Sequence, residues 1–336
     1  METKAATGRR GLFLSLFLAL VFSGEIAWCA PFNLKLGTYF PASDAVRYEQ
    51  AQFLAKAIAE KTQQRVKIEI FPAEQLAKAK EAVSAVASGA VDMYLPYSAH
   101  YGGTFKVFDL VCQSFIYPSF DISHKAITDV TTLLDQDFQR HSIKVPFAYV
   151  GGTLDFFSSD KFYKGSEDLK GVKMAGIGGA VDKMLKSLGA GMVSITSPER
   201  YLALQRKVVD ATITTNATFW YGKLYEVAPF ATIVDAPLPA HFLIVNMNKW
   251  NQFPDDIKKA FLEVGPDVQK FATKTFMALD QEIYRDLPKR GGKIYFSTAK
   301  EKQLFRNQLL KVVEEGLKAE GPLGQKALDI TKKYSQ

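Results

Sequence analysis

The sequence predicts an α/β protein built as two lobes. Three observations lead there: a length of 336 residues, strand and helix patterns that alternate in both halves, and a long amphipathic helix pattern after Pro254. A chain this long exceeds the usual domain of about 100–150 residues. Hydrophobic residues make up 47% and charged residues 23%, a globular balance that excludes disordered and fibrous classes.

Each element has a local reason. FNLKLGT, from Phe32, alternates apolar and polar residues as a half-buried strand does. Ser43 or Asp44 is placed to cap a helix whose apolar face holds Val46, Phe53, Leu54, Ala57 and Ile58. RVKIEIF is a second alternating strand. A helix from about Ala77 to Ser88 then ends at Gly89, and VDMYL follows as a short strand. That order implies a parallel sheet covered by helices. The second half repeats it: strand GVKMA, helix AVDKMLKSL closed by Gly189, strand GMVSIT, a helix opened by Ser197 and Pro198, and strand VVDATIT. Laid over each other, the halves pair Glu74 with Glu199 and Asp92 with Asp210, as two lobes of related architecture would.

HFLIVNMNKW, after Pro239, is strand-like. From Pro254, Ile257, Phe261, Val264, Val268, Phe271 and Leu279 fall on one helix face, which Gly265 and Pro266 are expected to kink or break. EKQLFRNQLLKVVEEGLKAEG is a last amphipathic helix. Two α/β lobes joined by a helix enclose a cleft, the natural ligand site.

The first residues belong to export. Arg9 and Arg10 precede the apolar run GLFLSLFLALVF and the cleavage-like SGEIAWCAP, the order of a secretory signal over residues 1–29. The run is shorter than the ~20 residues of a membrane span. Ala27 and Cys29 suit a cut before Ala30, Trp28 argues against acylation of Cys29, and RRGLFL fits a twin-arginine signal only loosely. Removing the signal leaves Cys112 alone, so no intrachain disulfide forms. Its apolar neighbours in FDLVCQSFIYP point to a buried, inert thiol.

Several functions are excluded on residue pattern. The net charge of +7 is spread among acidic residues with no basic stripe, so nucleic acid is not a partner. The four histidines never stand at metal-ligand spacing, and no nucleophile motif occurs. GIGGAVDK, at a strand-to-helix turn, has neither the G-x-G-x-x-G spacing nor the G-K-[ST] ending of a nucleotide cradle. A cofactor-free binding protein is expected rather than an enzyme.

Longer stretches carry a resemblance. EDLKGVKMAGIGG, SLGAGMVSITSPERYLALQRKVVDA, KLYEVAPF and VKIEIFPAEQLAKAKEAVSAVASGAVDM are similar to the solute-binding proteins of TRAP (tripartite ATP-independent periplasmic) transporters of the dicarboxylate-binding type, over about Leu34 to Tyr295. The resemblance implies a two-lobed periplasmic-binding-protein fold, with residues 31–150 and 240–279 in one lobe and 151–239 and 280–336 in the other. It also implies that the helix from Pro254 crosses between them. Such a protein would close on a small solute in the periplasm and deliver it to TRAP membrane permease subunits; a periplasmic ligand-sensing module is the other role the pattern allows.

The departures from the family pattern bear on the ligand. Relatives end the strand at Val172 to Ala175 with an arginine that forks onto a carboxylate; here Ala175 and Gly176 stand there. A second arginine, in G-x-R, becomes Gly152-Thr153-Leu154, and E-N-P becomes Ile213-Thr214-Thr215 with Asn216 next. A less cationic, more aromatic pocket follows, with Tyr39, Tyr97, Phe156 and Trp220 as candidate walls, Phe157, Phe219 and Tyr221 nearby, and Glu74, Leu154, Gly178, Thr214 and Asn216 beside them. The amides of Gly178, Gly179 and Ala180 would take over as anion donors. The expected ligand is an aromatic or bulky apolar organic acid, not a C4-dicarboxylate. A small organic amine, with Glu74 or Asp155 as counter-charge, is the rival.

Overall fold

The computed structural model describes residues 31–195, 199–238 and 241–335. The expected export signal, the helix start at Ser197 and Pro198, and Pro239 lie outside them. In chain order the strands are β1 (Phe32–Thr38), β2 (Val66–Phe71), β3 (Met93–Leu95), β4 (Ile143–Lys144), β5 (Ala148–Tyr149), β6 (Thr153–Ser158), β7 (Lys173–Ala175), β8 (Gly191–Val193), β9 (Ala211–Thr215), β10 (Phe230–Pro237), β11 (His241–Phe242), β12 (Ile244–Asn246) and β13 (Lys293–Phe296). Among the described residues they form a five-stranded sheet in the order β2-β1-β3-β12-β4, a six-stranded sheet β13-β10-β6-β9-β7-β8, and the pair β11-β5.

The strands whose order implied a parallel sheet do pair in parallel, and two others do not. β2, β1 and β3 are parallel, as are β7, β8 and β9, but β12 and β6 run antiparallel to their neighbours. The chain passes between the sheets at residues 150–153 and again before β12, and each time it enters the new sheet from the opposite end. The overlay of the two halves has a structural counterpart. Asp92, ahead of β3, accepts from the Lys35 N–H of β1 at 2.9 Å, and Asp210, ahead of β9, accepts from the Lys173 N–H of β7 at 3.0 Å.

Asp44 caps the helix Ala45–Lys61 by accepting from Arg47 N–H at 3.3 Å. The long helix Asp255–Asp286 runs unbroken through Pro266, contrary to the expected kink. Proline there removes one N–H donor, but Ile257, Phe261, Val264, Val268, Ala272, Phe276, Leu279 and Ile283 bury a continuous stripe on either side. Gly265 lets the backbone approach Phe147, whose own Cβ would lie 2.8 Å from an added Cβ. The stripe packs on the Ala45–Lys61 helix at one end and on the Asn216–Tyr221 helix at the other, so one rigid rod touches both sheets' surroundings.

The last segment does not stay with the second sheet. The helix Ala299–Lys318 packs on both Gly179–Ser187 and Lys106–Val111, and Gly321–Tyr334 packs on Phe120–Leu133 and Lys106–Val111. Tyr334 donates to Asp129 at 2.9 Å to fix that contact. Two apolar cores result, each drawing on both sheets: Leu36 and Phe147 with Phe157 and Phe219 in one, Phe108 and Phe138 with Phe156 and Phe305 in the other. Cys112 lies in the second, its thiol pushed well up by burial, as expected of an inert thiol. No helix of the described residues is long and apolar enough to cross a membrane.

Asp155 has a structural task instead of a ligand task. Opposite it, β10 carries an irregularity between Thr232 and Ala236, with Asp235 at φ +48°. The fully buried carboxyl fills this gap, accepting from the N–H groups of Val234 at 2.7 Å and Asp235 at 2.9 Å. It is a core plug, not a counter-charge for an amine.

Candidate functional site

The carboxyl ends of β1, β3, β7 and β9 meet the crossover residues 150–153 and 241, where ligands of open α/β sheets bind. Five rings gather there. Tyr39 follows β1 and stacks on His241 with centroids 5.9 Å apart and planes 7° apart, its hydroxyl sharing a 2.8 Å hydrogen bond with His241 Nε2. Tyr97 follows β3, lies 6.2 Å from His241 and meets His100 edge-on at 5.3 Å. Tyr149 also stacks on His241, at 5.4 Å. Burial holds the His241 imidazole neutral and moves His100 down to about 4, so both rings present uncharged nitrogens.

Gly151 sets the ring stack. A Cβ there would overlap the His241 ring, which is stacked against both Tyr39 and Tyr149. Gly151→Ala is therefore expected to lower stability by about 1–3 kcal/mol, the cost of overpacking. Urea unfolding checks it; an unchanged midpoint would mean that the ring yields.

Two buried arginines flank the rings. Arg47 donates to Asp44 Oδ2 at 2.5 Å and to Thr215 Oγ1 at 2.7 Å, joining the first helix to the end of β9. Arg200, which opens the helix Arg200–Gln205, lays its guanidinium over the carbonyls of Ala175, Gly176 and Ile213 and the Thr212 hydroxyl. Burial moves it down to about 10, with Tyr97 and Asp182 opposing, so it stays charged at neutral pH.

The residues expected from sequence divide. Tyr39 and Tyr97 join the ring cluster. Ala175 and Gly176 serve as acceptors for Arg200. Glu74 stands at the rim, but its carboxylate caps Ala79 N–H at 2.8 Å and pairs with Lys78. Gly178 caps the Gly179–Ser187 helix at φ +89°. The amide just ahead, Ile177 N–H, is taken by Asp182 Oδ1 at 3.1 Å, and Gly179 sits against Gln113 and Asp109 of the helix Lys106–Val111 region. The turn thus meets acidic protein groups, which weakens the expectation that its amides hold an anion. Asn216 turns to Thr153 and Asp280, donating at 3.0 and 2.7 Å, and Thr214 is buried in the ladder opposite Asp155.

Three aromatic or apolar candidates fall elsewhere. Leu154 and Phe156 are buried in the core, Phe156 among Phe115, Tyr163 and Phe305, because β6 is covered on both faces. Trp220 donates to Glu282 at 2.9 Å under the Arg290 guanidinium, outside the ring cluster. Phe157 and Phe219 stack on each other at 3.8 Å in the core. Sequence reasoning missed Arg47, His100, Arg200 and His241. Only Arg47, three residues after a capping aspartate, carries a local signal. Among the described residues no His, Cys, Asp and Glu group could hold a metal ion.

With this geometry in hand, relatives are identifiable. Residues 36–319 match the family described as bacterial extracellular solute-binding protein, family 7. The 2,3-diketo-L-gulonate-binding periplasmic protein of Escherichia coli is 22% identical over 84% of this chain and 86% of its own. A TRAP periplasmic solute-binding protein from Rhodoferax ferrireducens, solved with bound malonate, superposes with a TM-score of 0.80 at 23% identity over 90% of this chain and 98% of its own. A Bordetella pertussis extracytoplasmic solute receptor binding pyroglutamic acid superposes at 0.78 and 20% identity, over 89% and 99%. The family match spans most of the chain and the two-lobed fold agrees with it: the protein belongs to the TRAP-type bacterial extracellular solute-binding proteins of family 7.

Proposed function

We propose that this protein is exported to the periplasm, closes on a small organic acid with an aromatic or bulky apolar body, and delivers it to TRAP permease subunits. The observation that carries the ligand class is the ring cluster of Tyr39, Tyr97, His100 and His241 at the strand ends, beside two buried guanidinium groups. Flat neutral rings favour stacking, which contributes roughly 0.5–1.5 kcal/mol per good pair. Buried Arg200 favours an anion, and Glu74, the acid an amine would need, is committed to Lys78 and the Ala79 amide. The relatives named above are described with acids: diketogulonate, malonate and pyroglutamate.

A thermal-shift screen of aromatic acids, C4-dicarboxylates and aromatic amines tests this. A ligand at 100 times its dissociation constant adds about 2.7 kcal/mol of stability. Aromatic acids are expected to raise the midpoint. Stabilisation by succinate or malate with none from the aromatic acids would overturn the ligand class.

A further inference from the structure

We infer that Arg200 is the group that grips the ligand's carboxylate, through the Nε and Nη2 edge of its guanidinium, and that the ligand carries one carboxylate. The inference rests on the organic-acid reading and names the residue and charge behind it.

Arg200 is 4% exposed, and its side-chain partners among the described residues are all neutral. Nη1 faces three acceptors, Thr212 Oγ1 at 2.5 Å, Ile213 O at 3.2 Å and Ala175 O at 3.4 Å, which more than occupy its two hydrogens. Nη2 donates to Gly176 O at 2.5 Å, leaving its second hydrogen over. Nε is buried with no hydrogen-bond partner among the described residues. Nε and Nη2 share one edge of the planar fork, the edge that takes both oxygens of a carboxylate.

Charge balance singles out this arginine. Arg47 is equally buried, but Asp44 neutralises it at 2.5 Å. Arg200 has no such ion pair with a described carboxylate. Asp182, the acid that acts on it, is half-buried and holds Ile177 N–H with Oδ1. Tyr97, the other group acting on its charge, has a phenol that burial keeps protonated. A buried cation without an anion is costly, and one carboxylate on the free edge would satisfy both charge and hydrogen bonds. With Arg47 and Asp44 cancelling, a single negative charge is what the buried arginines can accept. Tyr97 would then meet the first atoms of the ligand's body, and Tyr39 with His241 the next.

The test uses the full mature chain and four acids, phenylacetate, indole-3-acetate, pyroglutamate and pyruvate, each beside its uncharged amide. In the wild type the acids are expected to bind at least about thirtyfold more tightly than the amides, the scale of removing one partner of a buried charged pair. Arg200→Met should abolish that discrimination, whereas a merely structural role would weaken acid and amide alike. Arg200→Lys, keeping the charge without the fork, should retain part of it. Nitrogen-15 labelling of arginine in the wild type gives a readout independent of variant folding. The Nε–H resonance absent from Arg200→Lys should shift when the acid saturates the protein.

Discrimination undiminished in Arg200→Met, or an Nε–H resonance that stays put at saturation, overturns the anchor and leaves the organic-acid reading standing. Stabilisation by amines or amides in place of acids overturns both.

Discussion

Arg47→Met is expected to destabilise the protein by about 3–5 kcal/mol, the cost of leaving one member of a buried ion pair alone. Asp44 and Arg47 are each 6% exposed, so solvent screens neither charge. Without the guanidinium, Asp44 keeps only the Arg47 backbone N–H as partner at 3.3 Å. The substitution also cuts the 2.7 Å bond from Arg47 to Thr215, which ties the Ala45–Lys61 helix to the end of β9. Adding Asp44→Asn removes the stranded charge and should recover part of the loss, as the coupling within a pair requires. Urea unfolding of the two single variants and the double variant measures this cycle. A loss below about 1 kcal/mol for Arg47→Met, the scale of a solvent-exposed pair, would contradict the buried assignment.

Asp155 gives the second large effect, and it depends on the replacement. Asp155→Ala orphans the N–H groups of Val234 and Asp235 inside the sheet, each costing about 1–3 kcal/mol. Asp155→Asn keeps the accepting oxygen and gives up only the titratable proton, so it should show none of alanine's loss at pH 7. Burial, with Asp235 and Asp280 adding to it, pushes the Asp155 carboxyl well up from its ordinary value. The folded chain therefore holds a proton that the unfolded chain releases above about pH 4. That contribution is complete below the unfolded value and is lost as pH rises toward the folded one. Asparagine has no proton to lose, so its advantage over the wild type should grow from pH 4 upward. Equal damage from alanine and asparagine at pH 7 would mean that the carboxylate charge, not the accepting oxygen, holds the irregular strand.

Much of the fold is legible because burial of one face leaves a period. Alternation marks β1 and β2, and the spacing from Ile257 to Leu279 marks the long helix. What fails is what periodicity does not encode. Strand direction depends on which end the chain re-enters, so the sequence pattern gives no sense for β6 and β12. Pro266 fits a continuous helix because packing on both sides outweighs one lost donor. The site splits in the same way. Tyr39 and Tyr97 end strands, where topology places ligand loops. Phe156 lies in a strand buried along its whole length, so alternation has no ligand face to report. Arg200 reaches the end of β7 and the Thr212 and Ile213 groups of β9 from a helix. Under the proposed anchor, the cation absent from position 175 would be supplied by Arg200.

That the lobes hold an organic monoacid is tested most directly by what the protein retains. The mature chain would be equilibrated with a mixture of mono- and dicarboxylic acids, amines and neutral solutes, and then freed of excess by gel filtration. Mass spectrometry of the intact complex and of the denatured eluate would identify what remained bound. The account predicts a monocarboxylate with an aromatic or bulky body, retained by the wild type and lost by Arg200→Met. Retention of an amine, a neutral solute or a C4-dicarboxylate, to the exclusion of monocarboxylates, would contradict it.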